Sequence, residues 1–272
     1  MLKQRILTAL VIAPMAFALV FFASPEVFRT AMSVLWLVSA IEYARLANLG
    51  KAGTALLLIV QASIFMIFFN FWEYTTQLSF ALLAGGCLIW CLMLLQLAAF
   101  KPDRPASKMY SALGFSSAIA SMTFVWLALS LIRDLPNGQY WILCLLMIVW
   151  AADIGGYFSG RHFGGRKLSP SISPSKTWAG FWGGMVLALV VTAAYTKLLP
   201  FLQVNPLKIS VIAAVTMLIS VGGDLFISIQ KRTLGLKDTG NLLPGHGGLL
   251  DRFDSLVSAA PFFAFGLLLI SR

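Results

Sequence analysis

Long apolar runs alternate with short polar punctuation along almost the whole chain. A membrane-spanning helix takes about 20 mainly apolar residues. By that measure the pattern predicts nine helices, at roughly 5–24, 27–47, 54–72, 77–99, 112–132, 139–158, 178–199, 208–229 and 254–270. The first, within MLKQRILTALVIAPMAFALVFFASPE, has the basic start of a signal peptide. Its apolar run is too long for one and further spans follow, so it reads as the first transmembrane helix. No soluble domain or low-complexity linker interrupts the series, and no internal repeat stands out. The expected fold class is an all-α polytopic membrane protein.

Composition agrees: of 272 residues 59% are hydrophobic and only 11% charged, which excludes an ordinary soluble domain. An odd number of spans places the termini on opposite sides. With the N-terminus cytoplasmic, that side collects 15 Lys and Arg residues against 5 on the other, the distribution the positive-inside rule demands. The net charge of +10 therefore follows from topology and anionic lipid headgroups and calls for no nucleic acid. Cys87, Cys91 and Cys144 all fall in apolar stretches, which argues for small hydrophobes and against disulfides or a thiolate metal site.

The ten acidic residues change the picture more than the basic ones. Asp153, Asp224, Asp238, Asp251 and Asp254 gather in or beside two segments, 153–177 and 224–255, both expected on the cytoplasmic side. Acids at the membrane are costly and mark functional sites by default. In the first segment, ADIGGYFSGRHFGGRKLSPSISPSKTWAG (152–180), Asp153 ends an apolar helix and glycines follow. Ser175, Lys176 and Thr177 then precede the helix beginning near Trp178, where Lys176 and free first-turn amides suit phosphate oxygens. The plainer reading makes Ser175 or Thr177 a helix cap and the bases topological anchors. Gly156, Gly160, Gly180 and Gly184 fit close helix packing better than ligand contact.

In the second segment, Asp224 lies within an apolar helix, and a 3.6-residue period puts Asp224, Ser228 and Lys231 on one face. A glycine-rich turn carries His246, and Asp251 and Asp254, three residues apart at the start of the last helix, can point into one pocket. Three carboxylates, Asp224, Asp251 and Asp254, among Lys and Arg suit a hard divalent cation held together with substrate phosphates, with Mg2+ the natural choice.

These residues carry a resemblance. SIQKRTLGLKDTGNLLPGHGGLLDRFDS (228–255) resembles the signature of the phosphatidate cytidylyltransferases, or CDP-diacylglycerol synthases, and ADIGGYFSGRHFG and SPSKTWAG are similar to that family's other cytoplasmic segment. Residues 136–272 match as the catalytic region with its two polar segments, and 1–135 only as variable transmembrane helices. The resemblance implies transfer of CMP from CTP to phosphatidate, giving CDP-diacylglycerol and pyrophosphate. It also implies a homodimer, Mg2+ and a monovalent cation such as K+, and a place in a bacterial inner membrane.

By motif position, metal binding falls to Asp224, Asp251 and Asp254. Phosphate contacts fall to Lys176, Lys231, Arg232 and Lys237, and orientation of substrate or ligands to Ser175, Ser228 and His246. Thr177 and Arg252 join the substrate-binding set, and Asp153 the acidic one. Three rivals stay open: a CTP-using lipid kinase, which would release CDP; a CDP-alcohol phosphotransferase, whose D-G-x-x-A-R run is missing; and a transporter that consumes no nucleotide.

Overall fold

The computed structural model describes residues 2–100, 107–242, 245 and 247–271, with the backbone alone for 2–9, 11 and 99. The expected all-α membrane fold is what forms. In chain order the helices are α1 (Leu2–Phe22), α2 (Pro25–Leu46), α3 (Lys51–Asn70), the short α4 (Trp72–Gln77), α5 (Ser79–Leu94), the short α6 (Gln96–Ala99), α7 (Lys108–Asp134) and α8 (Gly138–Phe163). After a small β hairpin follow α9 (Trp178–Leu198), α10 (Pro206–Thr233) and α11 (Leu250–Ile270). Among the described residues, eight helices are long and apolar enough to cross a membrane, and α1 contributes an apolar run at Ile12–Phe22.

Local chemistry sets the helix starts. Ser24 accepts a hydrogen bond from the Val27 amide, Ser107 from Tyr110 and Asn205 from Leu207 and Lys208, while Pro25 and Pro206 stand where a helix needs no N–H. α10 runs four residues beyond its predicted end and α11 begins four residues before its predicted start. Both extensions carry charged residues that an apolar-window rule trims away.

One continuous buried cluster runs through the bundle from Phe28 to Leu267, with Trp36, Trp90, Trp126, Phe226 and Phe263 fully enclosed. Leu56, Ile59 and Met66 of α3 and Val186 and Val190 of α9 are exposed, as lipid-facing residues should be. Because lipid is as apolar as leucine, helix association in a membrane depends on close packing. α8 and α9 achieve it through glycine. A Cβ on Gly155 would lie 2.7 Å from the Gly183 carbonyl oxygen, one on Gly180 2.7 Å from that of Gly156, and one on Gly184 2.6 Å from that of Ala152. Cys87, Cys91 and Cys144 are free thiols.

The hairpin was not expected from the sequence. β1 (Lys167–Ser169) pairs antiparallel with β2 (Ser173–Thr177), Lys167 opposite Thr177 and Ser169 opposite Ser173. Leu168 and Ile172 pack it onto Leu225 and Ile229 of α10 and onto Leu97 and Phe100 at the end of α6. Two apolar residues in a five-residue polar neighbourhood are too weak a periodic signal to distinguish from a loop, and tertiary docking decides the outcome.

Candidate active site

Docking of the hairpin brings the two polar segments together at one end of the bundle. Arg232 Nε donates to the Ile172 carbonyl (3.3 Å) and its Nη1 to that of Leu236 (3.3 Å), tying the hairpin to the end of α10. Lys176, carried on β2, is ion-paired with Asp224 of α10. Ser228 Oγ donates to the other Asp224 oxygen at 3.3 Å, the one-turn relationship predicted by helical spacing. One turn further, the buried Lys231 ammonium lies 2.9 Å from Asp251 Oδ1 and 4.0 Å from Asp254 Oδ2. Asp254 feels the charges of Asp224, Lys231 and Lys176, and Asp153 those of Lys176 and Asp224. Four carboxyl groups thus interleave with two ammonium groups.

Beside this chain of charges opens a cavity of about 480 Å³ between α8, α9, α10 and the hairpin. Asp153, Arg161, Ser175, Lys176 and Thr177 supply its polar wall, and Ala152, Phe181, Met217 and Val221 its apolar one. Arg161 Nη1 donates to the Tyr157 hydroxyl at 2.9 Å. Such a cavity accepts an amphiphile with an anionic end. The exposed Lys237 and Arg252 stand further out on the same segment as Lys231. His246 lies outside the described residues.

The site differs from expectation in two respects. Thr177 is the N-cap of α9, accepting from Gly180 N at 3.1 Å, and the Trp178 amide donates to the Arg166 carbonyl at 3.0 Å. The plain reading of Thr177 therefore holds, and two of the amides proposed for phosphate are already engaged. The second difference concerns the metal. Among the described residues no three His, Cys, Asp or Glu side chains gather closely enough to hold an ion by themselves. Asp251 is engaged by protein donors on both oxygens: Oδ1 takes Lys231, while Oδ2 takes Thr239 N (2.8 Å) and Gly248 N (3.0 Å). Among the described residues no donor lies within hydrogen-bond distance of Asp254 Oδ2: Oδ1 accepts from Ser255 N (2.8 Å), and Lys231 stands at 4.0 Å from Oδ2. An ammonium held against Asp224 marks the spot as one that favours a cation, so Asp224 and Asp254 could hold a divalent ion whose remaining ligands would come from substrate phosphates and water.

Sequence reasoning missed Glu42 of α2. This carboxylate is buried and accepts from Leu249 N (3.0 Å), Leu250 N (2.8 Å) and Thr239 Oγ1 (3.1 Å), so it caps α11 from the N-terminal half of the chain. The signal was available: an acid inside a predicted span is as unusual as Asp224.

Known proteins share this arrangement's sequence. Residues 3–270 match the model of the cytidylyltransferase family. The chain is 36% identical over 266 residues to a phosphatidate cytidylyltransferase of Pseudomonas aeruginosa, covering 97% of this chain and 96% of that one. It is 34% identical to the Haemophilus influenzae protein of the same name, covering 97% and 98%. A Bacillus subtilis phosphatidate cytidylyltransferase is 42% identical over 144 residues, about half of each chain. With residues 3–270 matched and the polar segments folded onto one another, the chain belongs to the cytidylyltransferase family.

Proposed function

We propose that this integral membrane enzyme transfers CMP from CTP to phosphatidate, giving CDP-diacylglycerol and pyrophosphate in phospholipid synthesis. The observation that carries the reading is the interleaved row Lys176, Asp224, Asp254, Lys231 and Asp251 beside a cavity with one apolar and one charged wall. An acceptor lipid keeps its acyl chains in the bilayer while its phosphate reaches that row, and soluble CTP arrives from the aqueous side.

In the reaction a phosphate oxygen of the lipid forms a bond to the α-phosphorus of CTP. The bond from that phosphorus to the β-phosphate oxygen breaks, and the electron pair leaves with pyrophosphate. A lipid phosphate is already a nucleophile, so the protein's task is positioning and charge stabilisation more than base catalysis. Lys231, fixed by Asp251, places one buried positive charge beside the reacting phosphates. Lys176 supplies a second, moving from Asp224 to a phosphate oxygen as substrate enters; a flexible ammonium suits that exchange. Asp224 and Asp254 would hold Mg2+, which supplies Lewis-acid neutralisation of the triphosphate. Ser228 fixes the Asp224 carboxylate. Asp153 lines the cavity with Lys176 and interacts electrostatically with Lys176 and Asp224.

The same reading puts the site and N-terminus on the cytoplasmic face of a bacterial inner membrane, supported by the 15 to 5 partition of basic residues, and the resemblance to the family adds a homodimer. The test is purified protein in detergent with CTP, Mg2+ and phosphatidate. Pyrophosphate and CDP-lipid formed in equal amounts are expected. Release of CDP in place of pyrophosphate would identify a lipid kinase, and no nucleotide consumption would return the transporter reading.

A further inference from the structure

We propose that Glu42 is a positioning residue for this reaction, acting through Thr239 and Asp251 on Lys231 and fixing the turn of α11 that carries Asp254. The inference rests on the function proposed above. Glu42 belongs to α2, far in sequence from both polar segments, and its side chain is only 6% exposed. A buried carboxylate persists only where donors meet it. Here Oε1 takes the Leu249 amide, and Oε2 takes the Leu250 amide and the Thr239 hydroxyl.

Those two amides open α11, where Leu249 offers no capping side chain. Asp251 and Asp254 ride on the turn so fixed. Thr239 is the second link: its backbone N–H donates to Asp251 Oδ2, and its hydroxyl lies between Glu42 Oε2 and Asp251 Oδ2, at 3.1 and 3.0 Å. With the backbone N–H already serving Asp251, the single hydroxyl hydrogen is available to Glu42. Asp251 Oδ1 then faces Lys231.

The glycines of the motif supply an independent observation. A Cβ on Gly240 would collide with Glu42 Oε1, and a Cβ on Gly248 would stand 2.5 Å from Oε2. The backbone of the polar loop is thus shaped around this carboxylate from two sides. Gly240 and Gly248 serve the close approach of a side chain.

The test compares Glu42→Gln, Thr239→Val and Gly248→Ala with the parent in the CDP-lipid assay, at a temperature where circular dichroism shows each folded. Gln offers one oxygen to two amides that use different oxygens, so one amide loses its acceptor in either orientation. Val removes only the hydroxyl that joins Glu42 to Asp251. Both variants should lower kcat by roughly tenfold or more with little change in KM for CTP, because misplacement of charge acts on the reacting geometry. Glu42→Gln combined with Gly248→Ala should be no worse than the weaker single variant, the mark of one shared unit. Unchanged kcat in folded Glu42→Gln overturns the proposal. If that variant does not fold, unchanged kcat in Thr239→Val overturns it equally. A parent that forms no CDP-lipid overturns the function itself and this role with it, whereas an active parent with equally active variants removes only the role.

Discussion

Lys176 of the β hairpin and Asp224 of α10 form an ion pair between two segments that the chain separates by a whole transmembrane helix. If Lys176 binds phosphate and Asp224 a metal, as proposed, each would hold the other's place until substrate and cation arrive. Their side chains are 27% and 23% exposed, and an ion pair so placed contributes on the order of 1 kcal/mol or less to stability. Lys176→Ala should therefore leave the thermal midpoint nearly unchanged while raising the CTP concentration needed for half-maximal rate by roughly tenfold, about 1.4 kcal/mol of lost binding. Steady-state kinetics over a CTP series checks this. Parental kinetics would return Lys176 to the role of topological anchor.

The contact between Arg232 and the Ile172 carbonyl requires both polar segments to share one face of the membrane. In a background with the three cysteines replaced, Ser171→Cys and Asn241→Cys occupy exposed positions on those segments, and Lys197→Cys an exposed position at the far end of α9. A membrane-impermeant thiol reagent should miss the first two in intact cells and reach them in inverted vesicles, with Lys197→Cys showing the reverse. Labelling of positions 171 and 241 from opposite faces would contradict a single site.

What the sequence made legible follows from how each feature is encoded. Apolar length alone located the spans, and helical periodicity alone put Ser228 and Lys231 on the face of Asp224. The charged turns at the ends of α10 and α11 escaped because a hydropathy window ends where charges begin. The hairpin escaped because its stability comes from Ile172 meeting Leu225 and Ile229, contacts between residues more than fifty positions apart. Spacing also treated Asp251 and Asp254 as equivalents. Their roles diverge because Glu42 and Thr239, one distant in sequence and one unremarkable in it, decide which carboxylate oxygens are occupied.

At the opposite end of the bundle, Arg29 offers a control for specificity. Its guanidinium is buried, contacts both oxygens of Asp134 at 3.3 Å and stacks over the Trp72 ring at 3.8 Å, while Trp72 Nε1 donates to Asp134 at 2.6 Å. The group ties α2, α4 and α7 and touches no part of the site. Asp134→Ala strands a buried cation and should cost about 3 kcal/mol of stability. The kcat of the remaining folded enzyme should equal the parent's, as a melt paired with active-site titration would show. A selective fall in kcat would mean that this end couples to the chemistry.

Asp251 and Asp254 give the sharpest prediction, because the same substitution should fail in two different ways. Neither is the principal cap of α11, since Glu42 accepts the Leu249 and Leu250 amides. Asp251 spends both oxygens on protein donors, so Asn at that position must turn an NH2 group toward either Lys231 or the Thr239 and Gly248 amides. Asp251→Asn should therefore lose about 3 kcal/mol of stability in the absence of metal, as expected when a buried charge loses its partner. Asp254 asks less of its carboxylate: one oxygen accepts from Ser255 N, which the Asn carbonyl can do as well. Asp254→Asn should keep the parental melting temperature in a chelator. It should also lose the stabilisation that Mg2+ with CTP gives the parent, and turn over CTP about a hundredfold more slowly, or about 2.7 kcal/mol in transition-state terms. Thermal melts with and without Mg2+ and CTP, set beside initial rates, separate the two outcomes. If Asp254→Asn worked at near the parental rate, or if both variants melted alike in chelator, the assignment of one carboxylate to structure and the other to metal would be wrong.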